Sequence, residues 1–343
     1  MPNGYRECIS CDDVLLVPRY SSIMSREDCD TSILEYSLPI ISSPMDTVYS
    51  KQLDMILLKN QIMTIVHRYF NSCEEQLKSS LMANSTYYRF FAVGSIYGQH
   101  KTEWIDKLMG EWGIDKFCID MAHGDSKACV DTVTYIKNRL NNNGRIIAGN
   151  VATKSGFRRL EEAGAWAIRV GLGSGSICST RGNTGFGVPL LTSVEDCKTV
   201  QDTALIIADG GMKNPGDIVK AIAFGADFCM LGRLFAQTDL APGLCYNKNK
   251  ELCVEGEKIY FKEYRGMASR EARADIMKKA SIEGVSGLVP YSGTTEQFIE
   301  DLRMNLKAAL SYAGCLNWKD FRRNVKKQII SSASLYESQT HID

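Results

Sequence analysis

Trp166-Ala167-Ile168-Arg169-Val170-Gly171-Leu172-Gly173-Ser174-Gly175-Ser176-Ile177-Cys178-Ser179-Thr180-Arg181 is an apolar run that breaks into a glycine-rich turn. The first five residues read as a buried strand. The three glycines that follow let the backbone turn sharply and approach a ligand closely. A thiol presented at the end of such a turn, with a hydroxyl two residues on, is a plausible nucleophile beside an ion or phosphate site. The plain alternative for Cys178 is a small buried apolar residue.

The same strand-then-turn unit recurs along the chain. Apolar strand-like runs occur at 38–42, 63–67, 90–94, 116–120, 145–148, 166–170, 204–208 and 227–231. Between most of them lie stretches with helical apolar spacing, at 73–82, 104–112, 127–140, 156–163 and 215–224, and a last helix is expected at 295–313. Eight strands alternating with helices predict an α/β fold, a single (β/α)₈ barrel, rather than an open sheet. Residues 1–36 read as an N-terminal extension, and 240–292 as an insertion after the eighth strand that could act as a flap. No repeat or low-complexity linker divides the 343 residues, so one domain is expected.

Composition excludes several classes. The formal net charge is zero and there is no basic block, so neither nucleic acid nor an anionic membrane surface is an expected partner. No apolar segment approaches a membrane span and the N-terminus does not look like a secretion signal, which reads as cytoplasmic. The twelve cysteines are then expected to be reduced thiols, and the four histidines supply no zinc-like pairing with Cys8 and Cys11. The polar tail from Ser331 onward is expected to be loosely held.

In a barrel of this kind the chemistry sits on loops at the carboxyl ends of the strands. Ser43-Pro44-Met45-Asp46, His67-Arg68-Tyr69, Asp120-Met121-Ala122-His123-Gly124, Gly149-Asn150, the cysteine loop, Asp209-Gly210-Gly211 and Gly232-Arg233 all fall there. Asp209 is suited to a ribose diol, and the amides of Gly210 and Gly211 to a phosphate. Gly232 and Arg233 follow strand eight, a common phosphate position. Together they suggest a nucleoside monophosphate whose base reaches towards Cys178. His67 and His123 could serve as acid–base groups, but a lone histidine at a strand end is more often a hydrogen-bonded structural residue.

These motifs, in this order, resemble the IMP dehydrogenase/GMP reductase family. The resemblance runs from about residue 5 to 315. It rests on the cysteine loop with Thr184-Gly185-Phe186-Gly187-Val188-Pro189, and on Cys11-Asp12-Asp13-Val14-Leu15-Leu16-Val17-Pro18. Ser43-Pro44-Met45-Asp46-Thr47-Val48, Ala208-Asp209-Gly210-Gly211 and Tyr264-Arg265-Gly266-Met267 complete it. Several features are most similar to GMP reductase: Cys118-Ile119-Asp120-Met121-Ala122-His123-Gly124, Val66-His67-Arg68-Tyr69 and Ala148-Gly149-Asn150-Val151. Only about twenty residues separate Arg68 from Phe90, where dehydrogenases carry a CBS domain pair, and 270–283 hold no Arg-Tyr pair of the kind that activates water in dehydrogenases. Ser43-Pro44-Met45, the 283–291 stretch, Arg233 and Ala280 lean instead towards dehydrogenases or depart from the reductase pattern.

The resemblance implies NADPH-dependent reductive deamination of GMP to IMP and ammonia through a thioimidate on Cys178. It implies Thr180 and Glu283 as the proton relay. Around the nucleotide it implies Ser176, Asp209, Gly210, Gly211, Gly232, Arg233, Gly266, Met267, Ala268 and Gly284. Around the cofactor it implies Ser25, Arg26, Arg68, Asp120, Met121, Ala122 and Met267. It further implies a potassium ion on the carbonyls of Gly173, Gly175, Cys178 and Arg181, and a homotetramer. The alternatives are an IMP dehydrogenase without CBS domains, using NAD and another water-activating residue such as Arg270 or Arg273; a non-catalytic nucleotide-binding barrel; and a flavin-dependent barrel.

Overall fold

The computed structural model describes residues 6–80, 88–98, 102–141, 143–266 and 285–338. Eight parallel strands form one sheet: β1 (Ile40–Ser42), β2 (Thr64–Val66), β3 (Arg89–Val93), β4 (Lys116–Asp120), β5 (Arg145–Val151), β6 (Ala167–Val170), β7 (Leu205–Asp209) and β8 (Phe228–Leu231). Neighbours follow chain order from β2 to β8, and β8 pairs with β1. A parallel bridge between Ile41 and Met63 brings β1 onto β2 and closes the barrel. All eight expected strands are present, 116–120 with the expected ends and the others with at least one end shifted by one to three residues.

Strand alternation sorts the side chains into two cores. Ile41, Ile65, Phe90, Ala92, Cys118, Ile147, Ile207, Phe228 and Met230 fill the barrel interior. Tyr36 plugs its floor, edge-on to Tyr88 and Phe228 at 5.5 and 5.4 Å. The alternate residues, among them Phe91, Phe117, Ile168 and Ile206, face the helical layer. Interior positions near the carboxyl ends of β4, β6 and β7 carry Asp120, Arg169 and Asp209 instead of apolar groups.

The helices start where short polar side chains can cap them. Ser126, Thr153, Asn214 and Thr294 each accept a hydrogen bond from the backbone N–H three residues on, starting helices Lys127–Lys137, Lys154–Glu162, Pro215–Ala223 and Thr295–Tyr312. The periodicity predicted that the last of these would be the final helix, and it is not. Trp318–Asn324 and Ser332–Glu337 follow it. Between those two, Lys326–Ile329 pairs antiparallel with Val14–Val17 and ties the N-terminal extension to the end of the chain. The tail expected to be loose is, as far as residue 338, a short helix capped by Ser331.

The insertion after β8 contains a three-stranded antiparallel sheet, Cys245–Tyr246, Phe261–Arg265 and Ser286–Pro290. Its centre, 267–284, lies outside the described residues, and the flap expectation for it with them. No described helix is long and apolar enough to cross a membrane.

Candidate active site

At the carboxyl end of the barrel lies a cavity of about 670 Å³, a size ordinary for a small-molecule site. The cysteine loop forms one wall. Gly171 takes φ +146°, and a Cβ there would stand 2.2 Å from the Asp209 carbonyl oxygen, so the loop lies directly on the end of β7. Ser174 Oγ fastens it by donating to that same carbonyl at 2.8 Å. Gly210 has φ +85°, and a Cβ on it would meet the Gly175 nitrogen at 2.9 Å. Two glycine loops therefore pack backbone to backbone.

Cys178 is exposed at the cavity. Its thiol donates to the Thr180 hydroxyl at 3.1 Å, while Thr180 itself is buried at the start of the short helix Thr180–Thr184. Thiol and hydroxyl thus stand within proton-transfer distance. The Arg181 guanidinium Nη2 donates to the Val188 carbonyl at 2.7 Å and Nε to that of Leu172 at 3.3 Å, bracing the loop from outside. The Gly175 and Arg181 carbonyls accept backbone N–H bonds from Cys178 and Gly185, both at 3.0 Å. Each keeps a second lone pair, so the carbonyl-rich turn fits a hard cation by its donor chemistry.

Beneath the cavity lies a charge network that the sequence reading missed. The Arg169 guanidinium, its side chain 8% exposed, spans Asp120 Oδ1 at 2.7 Å and Asp209 Oδ2 at 2.9 Å. Asn150 Nδ2 also donates to Asp209 Oδ2, at 2.8 Å, and to the Gly171 carbonyl at 3.0 Å. These bonds to the Asp209 carboxylate fall on Oδ2, and among the described residues Oδ1 is left for a ligand. On the far side, Arg68 Nε donates to Asp120 Oδ2 at 3.1 Å, and the Arg68 guanidinium rests over the Tyr69 ring at 4.6 Å. Burial alone would raise the Asp120 pKa, but the charges of Arg169 and Arg68 outweigh it and hold it at about 2. The available signal was a lone arginine inside an otherwise apolar strand run.

His67 has a structural role. It is buried, stacked on Phe70 at 4.3 Å between ring centres, and its Nδ1 accepts the Tyr69 N–H at 3.1 Å. Burial pushes its pKa down to about 4 against the weaker pull of Asp46 and Asp120, which keeps the imidazole neutral.

The structure brings most of the expected residues together. Arg68, Asp120, Met121, Ala122, Gly173, Gly175, Ser176, Cys178, Thr180, Arg181, Asp209, Gly210, Gly211, Gly232, Arg233 and Gly266 all line the cavity. Tyr264, not anticipated, joins them from the antiparallel sheet, and Arg265 Nε donates to Asp46 Oδ2 at 3.1 Å to tie that sheet to the loop after β1. Met267, Ala268, Glu283 and Gly284 lie outside the described residues. Ser25 and Arg26 do not line the cavity. Ser25 caps the turn Arg26–Asp28, and Arg26 sits 5.6 Å from the ring centre of Tyr312 on the outer helix.

The geometry first defines a class: a parallel barrel whose mouth pairs a thiol with a hydroxyl beside a held carboxylate and a glycine cradle. A family model described as IMP dehydrogenase / GMP reductase domain matches residues 8–341, and the chain belongs to that family. It is 33% identical over 311 residues to a GMP reductase of Clostridium acetobutylicum, covering 88% of this chain and 90% of that one. A GMP reductase of Staphylococcus aureus is 33% identical over 320 residues, 91% and 93% of the two chains. An inosine-5'-monophosphate dehydrogenase of Rhizobium tropici is 43% identical over 244 residues, 67% of this chain. The match covers 47% of that dehydrogenase, so the chain spans about half its length.

Proposed function

We propose that the chain is a GMP reductase, converting GMP to IMP and ammonia at the expense of NADPH. The observation that carries the chemistry is the Cys178 thiol 3.1 Å from the Thr180 hydroxyl in a loop packed on Asp209. Asp209 Oδ1 binds the ribose diol, and the glycine cradle with Arg233 takes the phosphate. This seats C2 of the purine against Cys178. The thiolate adds to C2, and the amino group departs as ammonia, leaving a thioimidate on Cys178. Amines leave poorly unless protonated, so the step needs a positioned acid. Thr180 hands the proton over, with Glu283 as its carboxyl partner. A nicotinamide, when bound, would supply the hydride that C2 needs, and Cys178 leaves as the thiolate when IMP is released.

On the cofactor side, Arg68, Asp120, Met121, Ala122 and Met267 form the nicotinamide surface. The carbonyls of Gly173, Gly175, Cys178 and Arg181 hold potassium, and Ser176, Gly266, Ala268 and Gly284 complete the nucleotide contacts. Ser25 and Arg26 lie off this chain's own cavity; the family resemblance alone supports their NADPH contact and the homotetramer. The enzyme works in the cytoplasm as a single-domain barrel whose 240–292 insertion is the flap.

Two observations favour the reductase: the alignment with reductases along about nine-tenths of both chains, and a 270–283 stretch with no Arg-Tyr pair to activate water. The second reading, an IMP dehydrogenase using NAD, is favoured by the higher identity over the shorter match. A nicotinamide absorbance assay with potassium separates them. NADPH consumption with GMP and release of ammonia supports the reductase; NAD reduction with IMP replaces it by the dehydrogenase.

A further inference from the structure

We propose that Cys245 and Cys253 are a reversible disulfide site in the sheet bordering the cavity mouth. The register places them together. Tyr246 and Leu252 form an antiparallel bridge, so Cys245 and Cys253 are the next pair outward, and the Cys253 N–H donates to the Cys245 carbonyl at 2.9 Å. Residues paired this way stand with Cα atoms about 5.5 Å apart and side chains on one face. That lies within the span a disulfide bridges without backbone movement. Both thiols are half-buried rather than sealed in the core, unlike Cys118 or Cys229.

The surroundings assign each thiol a part. Cys245 pairs on its other edge with Lys262, whose amine interacts with Cys245 and is pushed by burial below the usual lysine range. Lys262 is 2% exposed and donates from Nζ to the carbonyls of Ala241 at 2.5 Å and Asp239 at 3.2 Å. Its position is therefore fixed, which places a proton-accepting amine beside the Cys245 thiol. Cys253 has the opposite neighbourhood. Partial burial and the charge of Glu257 hold its thiol up, and Sγ donates to the Lys258 carbonyl at 3.9 Å. Cys245 is thus the attacking sulfur and Cys253 the resolving one.

The reaction needs only a small disulfide as oxidant. The Cys245 thiolate attacks one sulfur of glutathione disulfide, forms a mixed disulfide and expels one glutathione thiolate. The Cys253 sulfur then attacks Cys245, its proton leaving with the second glutathione. Two protein thiols are oxidised and one glutathione disulfide is reduced to two thiols; excess thiol reverses the exchange. The linkage does not depend on which purine reaction the barrel catalyses.

The test treats the whole folded chain with glutathione disulfide, blocks remaining thiols and maps tryptic peptides. Trypsin cuts after Lys248 and Lys250, between the two cysteines, so a linked pair of peptides proves the bond. Expected is a Cys245–Cys253 linked species that forms before the exposed Cys8 is glutathionylated and disappears with dithiothreitol. In Cys253→Ser the second, intramolecular step is lost, and a glutathione adduct on Cys245 rises at least about tenfold over wild type. Glutathionylation of Cys8 with no linked peptide overturns the proposal, and so does an adduct that stays on Cys245 in the wild-type chain. The wild-type mapping stands even if a serine variant folds poorly.

Discussion

Replacing Arg169 with Met removes the cation that bridges Asp120 and Asp209 at 2.7 and 2.9 Å in a position 8% exposed. Breaking a buried pair from one side costs about 3–5 kcal/mol, because the remaining charge is left buried. Arg68 still reaches Asp120, and Asn150 still reaches Asp209, so the lower end, about 3 kcal/mol, is expected. For a barrel of this length that is a fall in Tm of roughly 4 °C. The pH dependence has a definite sign. Asp120 is held at about 2 in the folded chain against about 3.9 unfolded. Its stabilising contribution is therefore complete above about pH 4 and disappears as the pH falls towards 2. The Tm gap between wild type and Arg169→Met should be widest above pH 4 and close below it. Asp209 also loses its fixed orientation, so the KM for the nucleotide should rise about tenfold or more, about 1.4 kcal/mol of binding. Thermal unfolding across pH, with steady-state kinetics at neutral pH, reads both effects. An Arg169→Met protein with unchanged Tm and KM would refute the clamp, as would a gap that widens in acid.

Three further substitutions probe separate parts of the account. Thr180→Val keeps the shape but removes the hydroxyl, and kcat should fall by about 10²–10⁴ with nucleotide KM little changed; stopped-flow and steady-state rates check it. Neutral buried His67, at about 4 when folded and about 6.5 unfolded, should make the chain lose about 3 kcal/mol of stability as the pH drops from 6.5 to 4. Denaturant titrations should show that His67→Phe flattens this slope. Gly171→Ala puts a Cβ 2.2 Å from the Asp209 carbonyl at φ +146°, so it should unseat the cysteine loop and abolish turnover while circular dichroism still reports a folded barrel.

Much of the barrel was legible because each strand is a short apolar run and each helix repeats its apolar residues near a helical turn. The cysteine loop and Asp209-Gly210-Gly211 were legible because glycines clustered at strand ends have few other uses. Arg169 was not, since only barrel closure shows that its side of β6 faces Asp120 and Asp209. The antiparallel sheet escaped for a different reason. In Phe261–Arg265 the buried residues are Lys262 and Tyr264, while Phe261 stays half-exposed, so alternation of polarity points the wrong way. Lys326–Ile329 is exposed throughout and is held as a strand by its pairing with Val14–Val17, which no local pattern announces.

The most direct measurement is the mass of the Cys178 peptide after the chain is incubated with GMP and oxidised NADP, which fills the cofactor site without a hydride to give. A covalent nucleotide on Cys178, formed with release of one ammonia and absent from Cys178→Ala, is the predicted result. An unmodified Cys178 under these conditions, with the same adduct appearing from IMP and NAD instead, would contradict the reductase and identify a dehydrogenase.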